Sequence, residues 1–365
     1  MRIMIVSDAW SPQINGVVTT LAQTSAWLGR NGHEVRVVAP CDFPNMPCPT
    51  YPEIRVALFP YRGMTRRIAE FQPDALHIAT EGPLGLAARR CALTRRLRFT
   101  SSYHTQFPQY LRSRLPVPIA LAYRALRAFH SAAHSCMVST PTMHRELAAR
   151  GFRHLVRWRR GVDTQLFRPG DKSFLALPRP IAAYVGRLAV EKNVGAFLRM
   201  HWQGTKIVIG DGPERRKLAT RYPDAVYLGC RFGADLVAHL SAADVLVFPS
   251  RTDTFGLVNL EAMACGVPVA AYPVTGPIDV VEDGVTGALD VDLARAAARA
   301  LKIDPRACRR RALLSGWDVC TREFQAHLVA CHQHAPSGSR TRPLERGAIE
   351  TEPVRYAVSC RSANS

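Results

Sequence analysis

Phe248-Pro249-Ser250-Arg251-Thr252-Asp253-Thr254-Phe255-Gly256-Leu257-Val258-Asn259-Leu260-Glu261-Ala262-Met263-Ala264-Cys265-Gly266-Val267-Pro268 reads as the end of a strand, a turn, and a small-residue helix stopped by Gly-Val-Pro. The apolar run Val245–Phe248 predicts a buried parallel strand. Gly256 lets the chain turn tightly into a helix that begins near Leu257. Asp253 then lies in the loop at a strand's carboxyl end, with Glu261 about one turn into the helix. In open α/β sheets that crevice is where ligands bind. A helix N-terminus, with free backbone N–H groups beside Gly256, suits a phosphate or a sugar hydroxyl.

The same strand–helix alternation extends outward in both directions. In the second half, strands are predicted at Ile181–Val185, Lys206–Ile209, Val226–Leu228, Val245–Phe248 and Val267–Ala271, with helices such as Pro213–Arg221 and Gly233–Ala242. In the first half, strands are predicted at Arg2–Ser7, Val35–Ala39, Ala75–Ile78, Phe99–Tyr103 and Ser135–Val138. Helices fall at Val17–Arg30, Leu84–Arg96, Ile119–Ala133 and Thr140–Arg150. The pattern is α/β, with two Rossmann-like domains, 1–170 and 171–332, joined by the turn-rich link Gly161–Gly170 and facing each other across a cleft. The Pro-, Gly-, Ser- and Arg-rich tail 333–365 has no sustained period and is expected to be disordered.

Bulk composition narrows the function classes. A chain of 365 residues with 47% hydrophobic content holds two cores, and no apolar run reaches transmembrane length. It opens directly into a strand without a signal pattern, which predicts the cytosol. The ten cysteines form no Cys-x-x-Cys pair and read as small buried hydrophobes in a reducing compartment. The formal charge of +19 favours anionic partners. Arginines cluster at 62, 66 and 67, then 89, 90, 95, 96 and 98, then 112, 114, 124 and 127; a generally Arg-rich proteome produces the same pattern. No aromatic-interleaved basic motif accompanies them, so nucleic acid is not an expected partner.

Other strand ends carry further candidates. Gly16 precedes an amphipathic helix and suits a diphosphate at its positive end, although any βα loop can hold a glycine. No Gly-x-Gly-x-x-Gly or Walker lysine motif follows the first strand, which weakens dinucleotide and ATPase readings. Val185-Gly186-Arg187-Leu188-Ala189-Val190-Glu191-Lys192-Asn193 places two cations, Arg187 and Lys192, after a strand, where they can neutralise a departing diphosphate. Gly210-Asp211-Gly212 permits close backbone approach to a nucleotide, or is simply a tight turn. His104, in Ser-Ser-Tyr-His-Thr-Gln-Phe-Pro, ends a strand facing the cleft. Thr80 and Glu81 suit acceptor hydroxyls, or Glu81 caps the following helix. Asp290-Val291-Asp292 spells a metal motif but stands where a helix N-cap is expected.

Taken in order, Asp8…Gly16, His-Ile-Ala-Thr-Glu-Gly-Pro-Leu-Gly, Tyr-His-Thr-Gln-Phe, Gly-Arg-Leu…Glu-Lys-Asn and Thr-Phe-Gly resemble retaining glycosyltransferases of the GT-B fold, family 4. Within it, the chain is most similar to bacterial GDP-mannose-dependent α-mannosyltransferases, with sulfoquinovosyl-diacylglycerol synthases as relatives. The family's acidic motif is Glu, seven residues, Glu; here it is Asp253, seven residues, Glu261, one methylene shorter at the first position. The resemblance implies that Asp253 and His104 lie against the donor sugar, Glu261 holds the ribose, and Gly16, Arg187 and Lys192 serve the diphosphate. It places Gly186, Gly210, Asp211, Gly212, Thr254, Phe255 and Gly256 around the donor. The implied reaction moves a hexose, mannose favoured, from a nucleoside-diphosphate sugar to a lipid or glycan hydroxyl. It needs no cofactor and no metal, and takes place at the inner face of an anionic membrane. An epimerase of the same fold and a non-catalytic basic nucleic-acid-binding protein are the alternatives.

Overall fold

The computed structural model describes residues 1–48, 51–106, 108 and 118–332, with the backbone alone at 51 and 52. The tail 333–365, Phe107, Arg112 and Arg114 lie outside the described residues.

Two six-stranded sheets form the frame. The first contains β1 (Arg2–Val6), β2 (Glu34–Val38), β5 (Ala75–Ile78), β6 (Thr100–Tyr103), β7 (Ser135–Val138) and β8 (Leu155–Arg157), in the order β2-β1-β5-β6-β7-β8. The second contains β9 (Ile181–Val185), β10 (Thr205–Ile209), β11 (Val226–Gly229), β12 (Val245–Phe248), β13 (Val269–Ala271) and β14 (Gly287–Leu289), in the order β11-β10-β9-β12-β13-β14. Every pairing in both is parallel. The apolar runs explain this: β1, β5, β9 and β12 are buried along nearly their whole length, because helices cover both faces. All strands predicted in each half are present, and each sheet gains one short outer strand, β8 or β14, too brief to show a pattern.

Helices on the first sheet include α1 (Gly16–Arg30), α2 (Tyr61–Phe71), α3 (Pro83–Thr94), α4 (Ile119–His130) and α5 (Pro141–Ala149). The second domain carries α6 (Val194–Arg199), α7 (Arg215–Arg221), α8 (Gly233–Ala242), α9 (Leu257–Ala264), α10 (Pro277–Val280), α11 (Leu293–Ala300) and α12 (Pro305–Leu313). Polar caps start several of them. Asn15 accepts from the N–H groups of Val17 and Val18, and Asp292 accepts from those of Ala294 and Arg295. Asp292 is therefore the cap its position predicted, and Asp290 is taken up by Arg295 and Arg299.

Two features depart from the sequence reading. An antiparallel hairpin, β3 (Asn45–Cys48) and β4 (Tyr51–Ala57), with α2 after it, fills the stretch between β2 and β5. Its prolines and short alternation hid it. The last helix, α13 (Trp317–His327), does not extend the second domain. It returns to the first, where Cys320 and Phe324 join Ile3, Ile5, Leu21, Leu28 and Trp158 in one core. Trp158 Nε1 donates to Cys320 O at 3.1 Å, and Ala330 bridges Ala75. No helix among the described residues is long and apolar enough to cross a membrane.

Candidate active site

Parallel strands in both sheets bring their carboxyl ends to one cleft, so the loops after β1, β5, β6, β9, β10 and β12 converge there. Gly256, at φ +80°, turns the chain from β12 into α9; a Cβ at that position would lie 2.7 Å from the Phe248 ring and from Asn259 Nδ2. The start of α1 meets the start of α9 across the cleft, since a Cβ on Gly16 would sit 3.4 Å from Leu257 Cδ1. Two positive helix ends thus face one volume.

The cations sit beside them. Lys192 Nζ lies 2.6 Å from Asp253 Oδ1, and the pair is mostly buried. The pairing is fixed by stitches between the two loops: Asn193 Nδ2 donates to Pro249 O at 3.1 Å, and Thr252 Oγ1 to Glu191 O at 3.4 Å. The second oxygen of Asp253, Oδ2, is buried with no hydrogen-bond partner. A buried carboxylate oxygen left open is costly unless a ligand completes it. Arg187 reaches Glu191 Oε1 at 2.8 Å and, from the first domain's hairpin, Glu53 Oε1 at 3.1 Å.

Gly210 and Gly212 turn out to serve this loop. A Cβ on Gly210 would fall 2.0 Å from Gly186 O, and one on Gly212 2.5 Å from Leu188 O. The N–H groups of Gly186 and Leu188 donate to Ile209 O and Asp211 O. Backbone packed on backbone holds Arg187 at the strand end. Asp211 caps Gly212 and pairs with Arg215 at 2.8 Å.

Glu261, one turn into α9, is pushed up to about 7 by burial. His104 is buried, and desolvation, then Arg160, hold its pKa well below the usual value. Its Nδ1 accepts from Arg160 Nη2 at 3.1 Å, so the proton of the neutral ring is on Nε2, which is buried without a partner. Arg160 in turn donates to Trp158 O at 2.7 Å and lies over the Trp158 ring. Burial lowers its pKa to about 10, so it stays charged.

Thr254 bridges the domains rather than opening toward a ligand: its hydroxyl donates to His104 O at 2.7 Å and its carbonyl accepts from Ser139 Oγ at 3.1 Å. Phe255 packs against the second domain's core. Thr80 is also committed, accepting the Asp8 N–H at 2.7 Å and donating to Asp8 Oδ2 at 2.8 Å. Nor does Glu81 cap α3. Asp8 does so from 76 residues away, accepting from Leu84 N at 2.8 Å and Gly85 N at 3.3 Å. Burial raises the Asp8 pKa despite those bonds. Glu81 instead receives His130 Nε2 at 3.0 Å. Burial opposes charge on His130, but Cys136 and Glu81 carry its pKa upward.

Glu53 and His130 were not singled out by sequence reasoning, and Asp8 and Arg160 make contacts here that it did not assign to them. Each acts through a partner 49 or more residues away, a pairing no local pattern encodes. A cavity of about 480 Å³ lined by Lys172, Arg179 and Asp244 lies at the amino ends of the second sheet, the edge away from the cleft. Its charges are already paired, Lys172 with Ala243 O and Arg179 with Asp244 at 2.6 Å.

Residues 14–166 match the family described as Glycosyltransferase Family 4, and residues 179–303 match Glycosyl transferases group 1. A GDP-mannose-dependent alpha-mannosyltransferase of Mycolicibacterium smegmatis is 32% identical over 366 residues, covering 90% of this chain and 97% of its own. Sulfoquinovosyl transferase SQD2 of Arabidopsis thaliana is 31% identical over 67% of this chain and 52% of its own. The Anabaena protein HepE, solved with UDP and glucose, superimposes with a TM-score of 0.67 at 16% identity, covering 89% of this chain and 98% of that one. That likeness is one of fold, two Rossmann-like domains in the GT-B arrangement. The chain belongs to glycosyltransferase family 4 and is a hexosyltransferase of the GT-B fold.

Proposed function

We propose that the chain transfers mannose from GDP-mannose to a hydroxyl of a lipid or glycan acceptor, with retention at the anomeric carbon and without a metal. The observation that carries this reading is the Lys192–Asp253 pair, held beneath two facing helix N-termini with one Asp253 oxygen unpartnered. An arriving diphosphate competes for Lys192 and Arg187, and Asp253 is then free to accept from donor-sugar hydroxyls. His104 Nε2–H is the buried donor on the opposite wall. Glu261 accepts from ribose hydroxyls. The mannosyltransferase relative, by its name, uses GDP-mannose, which favours that donor here.

As the anomeric C–O bond breaks, the electron pair leaves with the diphosphate. Arg187, Lys192 and the helix ends stabilise that growing charge in a site closed to water. These groups supply the positive charge that a divalent ion supplies in other transferases. The acceptor oxygen bonds to the same face, and its proton passes to the departing phosphate oxygen.

The acceptor reading also fits the surface of α2 and α3. Arg62, Arg66, Arg90, Arg95 and Arg96 are exposed there, and Leu86, Leu93 and Phe59 stand in water, Phe59 with 95% of its surface. Such a basic, apolar face suits an anionic bilayer, each cation contributing on the order of 1 kcal/mol. Liposome sedimentation at low salt tests it: pelleting with anionic vesicles is expected, and equal pelleting with neutral ones contradicts it.

The direct test incubates purified protein with GDP-mannose, UDP-glucose and UDP-glucuronate separately in EDTA. Nucleoside diphosphate release is followed with and without bacterial lipid extract. Lipid-stimulated release from GDP-mannose is expected. Release only when a divalent metal is restored, or from a UDP-sugar alone, overturns the corresponding part.

A further inference from the structure

Arg160 is a buried cation, 5% exposed, and no carboxylate among the described residues pairs with it. Its neighbour Arg159 takes Glu323 at 2.6 Å, while Arg160 directs its own donors to Trp158 O, Arg159 O and His104 Nδ1. A buried guanidinium without an acid partner is costly, so other contacts must hold it. The guanidinium lies 4.3 Å over the ring of Trp158. That ring is itself fully buried, with Nε1 bonded to Cys320 O and Phe324 packed 4.7 Å away.

The backbone beside it is fixed as well. Val162 N donates to Ser315 O at 2.8 Å, and a Cβ on Gly161 would lie 2.8 Å from Trp317 Cα. Trp317, Cys320 and Phe324 all belong to α13, so the crossing helix grips the chain on both sides of Arg160. The guanidinium is held at the link between the domains, aimed at one imidazole.

The consequence falls on His104. A guanidinium has N–H donors and no acceptor, so its contact at 3.1 Å leaves Nδ1 without a proton. The His104 ring stands edge-on to Trp158, with centroids 5.7 Å apart, and its carbonyl receives Thr254 of the second domain at 2.7 Å. Turning the ring over would put a carbon against the Arg160 donor. Burial, with the Arg160 charge second, also keeps a second proton off the ring. Only Nε2–H remains for hydrogen bonding, and it is the atom left without a partner.

We propose that Arg160 is a positioning residue that acts through His104, locking the ring as an Nε2–H donor that gives a hydrogen bond to a sugar oxygen and never accepts one. That His104 meets a donor sugar belongs to the transferase reading above, on which the kinetic half of the test rests. The lock on the ring stands apart from it.

Histidine-selective 15N labelling with multiple-bond correlation NMR reads the lock in the full-length protein, the His104 signals being assigned by their loss in His104→Gln. Wild type is expected to show a protonated Nε2 and a bare Nδ1, unchanged between pH 6 and 8. Arg160→Met, which keeps bulk without donors or charge, should let both nitrogens share the proton and draw their shifts together; Arg160→Lys should recover part of the difference. In initial rates with GDP-mannose and lipid extract, Arg160→Met is expected to lower kcat at least tenfold. Its GDP affinity, within about twofold of wild type by calorimetry, shows that it is folded. His104→Gln should cost as much, and the double variant no more than His104→Gln within about twofold, because the two residues act as one unit. A proton on Nδ1 in wild type, which needs no variant to detect, overturns the proposal. So does an unchanged ring in Arg160→Met, or losses that multiply in the double variant. If wild type releases no nucleoside diphosphate while His104 is locked as stated, the transferase reading fails and the lock stands.

Discussion

Glu261 gives the cleft its clearest dependence on pH. With burial pushing its pKa up to about 7, the carboxylate that the proposed ribose contact needs is half lost at neutrality. Donor affinity is therefore expected to rise between pH 6 and 8 and then level off, and Glu261→Gln to flatten that profile; calorimetry across the range checks it. The stability sign is opposite. The folded state holds this proton more tightly than the unfolded chain, so Glu261 costs stability as pH rises from about 4.5 toward 7 and nothing further above. His104 adds no such limb, because its pKa lies well below the usual range and the ring stays neutral. At Asp253, Asn keeps the shape but removes the charge opposite Lys192. Asp253→Asn is expected to reduce the transfer rate by about 10²–10³ while leaving GDP affinity within a few-fold, read from initial rates and calorimetry. The sequence reading placed Arg187, Lys192 and Asp253 at strand ends, where the structure brings them together. It could not show that Lys192 and Asp253 touch, since 61 positions separate them and only the sheet order joins their loops. Nor could it show that the Thr80 and Thr254 hydroxyls bond to neighbouring chain; a hydroxyl's partner is invisible until the fold is assembled.

At the scale of elements, the turns carry the prediction. Gly210→Ala places a methyl 2.0 Å from Gly186 O at φ +138°, so the Arg187 loop must shift. The expected cost is about 1–3 kcal/mol with a rise in donor KM, seen in thermal melts and kinetics. Asp8→Ala removes the cap of α3 and is expected to cost about 1–2 kcal/mol. Buried parallel strands and the glycine turns after them were legible because burial on both faces leaves continuous apolar runs. The hairpin was not, since Pro47 and Pro52 break the alternation that marks a strand. Nor was the true cap of α3: Glu81 has the right sequence position, yet Asp8 has the right place in space.

Across the whole molecule, α13 binds the two halves into one chain-crossing unit. Phe324 is fully buried among residues of the first sheet and α1, so Phe324→Ala is expected to cost about 3–5 kcal/mol, measured by denaturant unfolding. A fragment ending at residue 170 exposes that face of Ile3, Leu21 and Leu28 and is expected to aggregate, whereas the full chain stays monodisperse by light scattering. Two Rossmann-like domains were readable from alternation alone, but the crossing helix was not. Its amphipathic face fits either domain until the packing partner is known.

On the proposed reading, a nucleotide-sugar diphosphate sits between the domains on Lys192 and the helix ends, without a metal. Titration of GDP and GDP-mannose in EDTA into wild-type protein and Lys192→Ala tests it most directly. Wild type is expected to bind both saturably, and the variant at least tenfold more weakly. Binding that Lys192→Ala leaves unchanged, or that appears only once a divalent metal is added, would contradict it.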